Sequence, residues 1–212
     1  MYKIYFYKDR HGRQQAYEYL KDLAGRKDKD SRIKLNKHND YLQALAEYGL
    51  KLGEPYVKHL QGDIWELRPL RDRSLFAVWN GDSFVILHTF MKKTQKTRNV
   101  KLNKHYVNLL ISKRGVCTMK NEALGYEWQD VRKKLFTAEE IAASDLRVAL
   151  IGELVKARQE KGITQKQLEE LSGVKQPVIA RIENGTSVPK ISTILRVLAP
   201  LGKTLAVVPL EK

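Results

Sequence analysis

The chain has 212 residues, 42% of them hydrophobic and 30% charged, with a formal net charge of +15, a balance that fits a folded, water-soluble protein and excludes a charge-rich disordered one. No run of about 18 apolar residues is present, which excludes a helical membrane span, and the opening MYKIYFYKDR lacks the apolar stretch of a secretory signal. A single cysteine, Cys117, makes no internal disulfide and fits a reducing, cytoplasmic setting.

The charge is unevenly spread: residues 1–118 hold 24 Lys+Arg against 12 Asp+Glu, and residues 119–212 hold 15 against 12. Such an excess in the first part favours a polyanionic partner over charge kept only for solubility. Along the chain, Tyr2–Tyr7 is aromatic and β-branched and predicts a strand. A helix follows with Ala16, Leu20, Leu23 and Ala24 on one face. A second runs from about Lys29 to Gly49, with Tyr41, Leu42, Leu45 and Tyr48 at helical spacing, ended by Gly49 and Gly53-Glu-Pro55. Three strands are predicted next, Ile64–Pro69, Ser74–Trp79 and Ser83–Phe90. In the first, Trp65 and Leu67 point one way and Glu66 and Arg68 the other. Asn80-Gly81 tolerates the positive φ angles of a type I′ hairpin turn. A last helix is expected over about Val100–Ile111, then a polar stretch at Ser112–Thr118. Met119 sits at the charge boundary like the start of a second reading frame.

The second part shows no convincing sheet. Thr137-Ala-Glu-Glu140 fits a capping box. Helices are expected at about 145–161, 165–172, 176–184 and 191–200, with Thr204–Val208 a candidate terminal strand. Within this set, Thr164 caps a helix opening at Gln165, to which Leu168 and Leu171 give a buried face. Gly173 falls where the chain must turn, and Val174 anchors that turn. A second short helix opens near Gln176 with Pro177 in its first turn, buries Ile179 and Ile182, and ends at Asn184-Gly185. Lys175, Gln176, Val178, Arg181 and Asn184 are then candidates for contact with DNA, where an amide reads a base edge and a guanidinium reaches guanine or phosphate. Gln165 is a candidate phosphate contact at a helix start.

The segment at about 146–208 resembles the Cro/XRE helix-turn-helix repressors through Thr164-Gln165, Leu168, Gly173-Val174, Gln176, Ile179, Arg181-Ile182-Glu183, Gly185, Pro189 and Leu201-Gly202. One departure is Glu169, where that family usually has a small Ala against the recognition helix. The resemblance implies an all-α domain that binds a palindromic operator as a dimer.

In the first part, Gly62-Asp-Ile-Trp-Glu-Leu-Arg68, then Arg73, then Phe90-Met-Lys-Lys-Thr-Gln-Lys-Thr97 resemble the phage-derived HigB-like branch of the RelE/ParE toxin superfamily over about residues 2–112. A Pro often follows the last motif in that branch; this chain has Arg98. The resemblance implies an α+β domain, a small antiparallel sheet with helices, that cleaves mRNA on the ribosome. RNA supplies its own 2′-OH nucleophile, so no metal or cofactor is needed, and the site must align the phosphate, exchange protons and stabilise a charged phosphorane. Arg68 and Arg73 are candidate phosphate clamps. Lys92, Lys93 and Lys96 can offer positive charge or a proton, and His59 and His88 are candidate acid–base groups. Each has a structural alternative, and Glu66 is placed to pair with Arg68. No zinc-type spacing, HExxH, Walker A or GxSxG motif occurs.

The expectation is a toxin–antitoxin pair in one chain: a toxin domain at 1–115, a linker at 116–118, an antitoxin arm at 119–145 and a helix-turn-helix domain at 146–212. The arm carries six acidic residues (Glu122, Glu127, Asp130, Glu139, Glu140, Asp145) against four basic ones (Lys120, Arg132, Lys133, Lys134), with Trp128 or Phe136 as an expected anchor on the basic domain. Partners are mRNA and ribosome, operator DNA and a second copy, with no membrane. Two other readings suit the same residues: a single DNA-binding regulator with a non-catalytic first domain, and a gyrase-inhibiting toxin on the same fold.

Overall fold

A computed structural model describes residues 1–53, 56–92 and 121–207. The helix expected near Val100–Ile111, the stretch at 112–118, Met119, Lys93 and Lys96 lie outside the described residues. The chain divides into two units, Met1–Asp145 and Leu146–Lys212.

In the first unit the alternating sequence of β1 (Lys3–Tyr7) buries Ile4 and Phe6 together. Helix α1 (Gln15–Gly25) buries Ala16, Leu20 and Leu23, and α2 (Lys29–Tyr48) is capped by Asp28, whose carboxylate accepts the Ser31 N–H at 2.8 Å. Strands β2 (Val57–Gln61), β3 (Ile64–Leu67), β4 (Asp72–Trp79) and β5 (Ser83–Met91) follow, then β6 (Leu124–Glu127), α3 (Trp128–Leu135) and α4 (Ala138–Glu160). The strands make one six-stranded sheet in the order β2-β3-β4-β5-β1-β6.

Three expectations are corrected here. The sheet is mixed, because β1 runs parallel to β5 while every other pairing is antiparallel. The long stretch between them, α1, α2 and strands β2 to β4, supplies the long connection that parallel neighbours need. Strand β2 was not expected: four of its five residues are exposed, so an edge strand left no apolar signal. The second part does contribute a strand, β6, which adds to the free edge of β1. The β4–β5 hairpin forms as expected, with Asn80 and Gly81 at φ 50° and 80°. The Trp79↔Ser83 pairing leaves three residues in the connection, and the Ser83 hydroxyl donates to the Trp79 carbonyl at 2.8 Å.

The helices lock onto one sheet face through polar ties as well as apolar packing. The Gln15 amide brackets the Thr89 backbone, donating to its carbonyl at 2.8 Å and accepting its N–H at 2.9 Å. Tyr19 donates its hydroxyl to Asp72 Oδ2 at 2.9 Å, and His38 Nε2 lies 3.0 Å from the same oxygen. Burial, reinforced by that carboxylate, raises the Tyr19 pKa. Both α1 and α2 are thereby pinned to the residue that immediately precedes Arg73.

In the second unit, Leu154, Ala157, Leu168, Val174, Ile179, Ile182, Ile194, Val197, Leu198 and Leu201 form one core. It is built from the end of α4, α5 (Gln165–Ser172), α6 (Gln176–Glu183) and α7 (Ile191–Leu198); Leu168 is buried in it as expected, but Leu171, expected on the same buried face, is 61% exposed. The capping box at Thr137 is present: its hydroxyl accepts the Glu140 N–H at 3.3 Å, and Glu140 accepts the Thr137 N–H at 3.0 Å. Behind it the two helices expected at 137 and 145 are one continuous α4 of 23 residues. Thr204–Val207 is not a strand; among the described residues of this unit there is no strand for it to pair with. Among the described residues no helix is long and apolar enough to cross a membrane.

Candidate nucleic-acid interfaces

The first candidate lies where β3, β4 and β5 end. Strand register sets Glu66 beside Leu75, and Leu75 beside His88, while Arg73 pairs with Phe90. Side chains alternate along a strand, so Arg73, Glu66 and His88 share one face. Glu66 Oε1 stands 3.3 Å from both Arg68 Nε and Arg73 Nε. The two guanidiniums differ in availability. Arg68 keeps 29% of its side chain exposed, whereas Arg73 is 8% exposed and its Nη1 donates to the carbonyls of Leu70 (3.1 Å) and Asp72 (2.6 Å). Burial pulls the Arg73 pKa down, opposed by Glu66. Arg73 thus holds the turn in which Leu70 takes a left-handed φ of 53°, an uncommon state for a bulky residue. Arg73, expected as a phosphate clamp, is thus the more committed of the two to protein partners.

Lys92 joins this end of the sheet, its N–H donating to the Arg71 carbonyl at 2.9 Å. Arg71, exposed in the same turn, was not singled out in the sequence, although the run Arg68-Pro-Leu-Arg71-Asp-Arg73 marks it by density of positive charge. His88 is partly buried on β5, and that burial holds its pKa below the ordinary value. His59 is not brought to this group. It sits on edge strand β2 opposite Trp65, its Nε2 2.7 Å from the Gly62 carbonyl, on the face away from Glu66 and three strands, about 14 Å, from β5.

The arm closes the other end of the same unit. Strand β6 pairs antiparallel with β1 (Tyr5↔Glu127, Tyr7↔Leu124). A Cβ at Gly125 would lie 2.1 Å from Gln14 Oε1 and 2.7 Å from the Phe6 carbonyl, so only glycine permits this approach. The Gln14 amide oxygen accepts the Tyr126 N–H at 2.8 Å. From α3, Trp128 is 1% exposed with its ring 6.5 Å from Phe6 and 6.2 Å from Phe136, and Val131 is fully buried. Arg132, 3% exposed, donates from Nε to Asn39 Oδ1 of α2 at 2.7 Å and from Nη2 to the Ile141 carbonyl at 3.2 Å, and pairs with Asp145 at 2.8 Å. Gln129 donates to Gln43, and Arg32 pairs with Glu140. Trp128 and Phe136 are both at the contact, and Arg132 is the polar member that the sequence did not single out.

The second candidate is the outer surface of α5 and α6. Thr164 and Gln167 form a reciprocal capping box, and Gly173 ends α5 at φ 67°. Gln176 opens α6, its side-chain amide donating to Gln165 Oε1 at 2.8 Å, while Gln165 Nε2 donates to Glu183 Oε2 at 2.8 Å. Glu183, 4% exposed, is held bidentately by Arg158 at 2.6 and 3.0 Å. A part-buried ion pair therefore orients two amides that lead out to the surface, around a groove of about 540 Å³ lined by Arg158, Thr164, Gln165, Lys166, Glu169 and Gln176. Arg181 is exposed, with Nε on the Pro177 carbonyl at 3.0 Å. Lys175 is exposed before α6. Two expected contacts are placed differently. Val178 packs partly buried against the core, because its position in the first turn of α6 turns it inward. Asn184 caps the opposite, C-terminal end of α6 from Gln176. Glu169 does not disturb the packing. Its Oε2 accepts the Gln176 backbone N–H at 3.1 Å and its Oε1 stands 3.2 Å from Lys175 Nζ. That backbone N–H, with Lys175, holds the Glu169 pKa low.

Comparison with known proteins gives two family matches. Residues 154–208 match a helix-turn-helix family and residues 30–107 match the phage-derived Gp49-like proteins. An uncharacterized HTH-type transcriptional regulator of Haemophilus influenzae is 59% identical over 88 residues, 42% of this chain and 90% of that protein. A solved toxin–antitoxin module from Streptococcus pneumoniae is 63% identical over 42% of this chain and 100% of its own, with a TM-score of 0.39.

Proposed function

The chain belongs to the HTH-type transcriptional regulators, and from that premise we propose that it is a toxin–antitoxin module which represses its own operon. In this reading residues 1–115 form a metal-independent endoribonuclease that cuts mRNA at the ribosome, and residues from Met119 onward form the antitoxin, an arm at 119–145 and a DNA-binding domain at 146–212. The carrying observation is the arm: β6 and α3 complete the sheet and core of a basic Gp49-like unit from beyond its own segment, with Trp128 and Arg132 buried. A polypeptide inserted in this way is suited to hold a catalytic domain silent. On the DNA side, Gln176 offers an amide steadied by Gln165, the chemistry that reads adenine, and Arg181 offers a guanidinium for guanine or phosphate.

Catalysis is assigned to Arg68, Arg71 and Lys92 as the accessible cations, with Lys93 and Lys96 of the neighbouring motif, Arg73 as the residue that fixes their turn, and His88 as the proton-transfer group. Permanent cations hold a phosphate well but align a flexible RNA poorly, so the ribosome supplies the alignment. The test is induction of the full chain carrying Trp128→Ala and Arg132→Ala together, with primer extension on a reporter mRNA. Growth arrest with cut mRNA is expected, and arrest should vanish when Arg68→Ala is added, since one electrostatic donor is worth about 10²–10³ in rate. A second reading, a regulator with a non-catalytic first domain, is favoured by the commitment of Arg73 to Glu66 and two carbonyls. Harmless expression of the released double mutant, folded by circular dichroism, selects that reading. Arrest with intact mRNA selects a toxin with another target.

A further inference from the structure

The outer surface of α5 and α6 places a carboxylate against two groups that would otherwise attract DNA. The N-terminus of a helix and an adjacent lysine are both natural partners of a phosphate. In this chain the first backbone N–H of α6 and the Lys175 ammonium both face Glu169 instead, at 3.1 and 3.2 Å. The Gln176 side chain is left outside this clasp and is steadied by Gln165.

We propose that Glu169 is a specificity-determining residue: an internal counter-anion that neutralises Lys175 and the start of α6 until a matched base sequence engages Gln176. Binding to the phosphate backbone is sequence-independent and scales with the number of cations that displace counterions. A carboxylate that occupies two such groups lowers affinity for every duplex. Its cost is smallest on the matched site, where base contacts hold α6 against the groove and Lys175 exchanges Glu169 for a phosphate at little loss. The residue therefore trades affinity for discrimination, the quantity that matters among many competing sites. This rests on the DNA-binding role of the helix-turn-helix unit and is independent of any activity of the first unit.

The test uses the full chain, a duplex recovered by the wild type from a randomised pool, and a scrambled duplex of equal length and composition. Anisotropy titrations run from about 50 to about 200 mM salt. Glu169→Gln, which keeps an acceptor for the Gln176 N–H but removes the charge, should bind the scrambled duplex several-fold tighter at low salt. Its log–log salt slope should steepen by about one per recognition helix, an extra gain of roughly three- to fourfold across that range. The recovered duplex should gain less, so the ratio between the two falls. Adding Lys175→Ala to Glu169→Gln should remove the gain, which a purely structural role would not produce. Equal slopes, or a parallel loss on both duplexes by a protein of unchanged circular dichroism, overturns the inference. A wild type that recovers no duplex overturns the DNA-binding reading as well, whereas a wild type with clear preference and a variant with the same ratio overturns this inference alone.

Discussion

Replacing Trp128 by Ala separates a docked arm from an integral part of the first unit's core. The side chain is 1% exposed and packs between Phe6 and Phe136. Truncating a buried Trp to Ala costs about 3–5 kcal/mol in lost transfer energy and cavity formation. Among the described residues the buried indole Nε1 has no hydrogen-bond partner, so none of that loss comes from a hydrogen bond to them. Trp128→Phe, which keeps most of the packing and removes an unsatisfied donor whose burial costs about 1–3 kcal/mol, should then be close to neutral. A loss of about 3–5 kcal/mol shifts the docked fraction by roughly a hundred- to a few thousandfold. Hydrogen exchange reads this directly, because β1 is shared between β5 and β6 while β4 lies in the sheet interior. In Trp128→Ala, protection should fall at β6, at the Tyr126 amide bonded to Gln14 and at the Lys8 amide bonded to Ala123, with β4 and β5 unchanged. Uniform loss across the whole sheet would refute the idea of a separable arm. Retained protection at Tyr126 and Lys8 would refute the energetic role of Trp128.

Arg158→Ala strands the Glu183 carboxylate in the helix-turn-helix core and should destabilise that unit by about 3–5 kcal/mol, seen as a lowered thermal midpoint with partial rescue in Arg158→Lys. Gln176→Ala and Arg181→Ala should each weaken binding to a selected operator by about 1–3 kcal/mol while leaving the helical circular dichroism intact; unchanged affinity in both would move the reading surface elsewhere. His88 has a folded-state pKa depressed by burial, so its contribution to stability is complete above its unfolded value of about 6.5 and is lost as pH falls below it. Denaturant melts at about pH 7.5 and 5.5 should show a smaller acid loss in His88→Leu than in the wild type; equal losses would put the ring in a solvated setting.

What could be read from the sequence divides by how local the determinants are. The helix-turn-helix is legible because its parts lie within a few residues of one another: the Thr164–Gln167 capping box, left-handed Gly173, and Ile179 and Ile182 three apart on one helix face. The β4–β5 hairpin is legible for the same reason, through Asn80-Gly81. Strand β6 is not, since four residues containing a glycine acquire meaning only against β1, more than a hundred residues earlier. Nor is β2, an edge strand with exposed Lys58, His59, Leu60 and Gln61. The candidate sites divide likewise. Charge identifies Arg68 and Arg73 equally, and both stand 3.3 Å from Glu66; burial is what separates a partly exposed Arg68 from an Arg73 that also holds the Leu70 turn. Arg158 and Glu183 are 25 positions apart, and no local pattern joins them. Glu169 registers in the sequence only as a departure from a small residue; its meaning needs the 3.1 Å contact with the first N–H of α6.

The place of β6 in the sheet also sets a timetable for synthesis. The first strand to leave the ribosome is completed on one side by β5 and on the other by a strand that ends at Glu127. Roughly 37 residues must be added between the end of β5 and Trp128, which at about 5–20 residues per second takes about two to seven seconds. During that interval β1–β5 can assemble while the outer edge of β1 and the pocket for Trp128 stand open. A nascent chain stalled or truncated in this window would lack β6 and α3, leaving the outer edge of β1 unpaired and the Phe6 side of the core open to water.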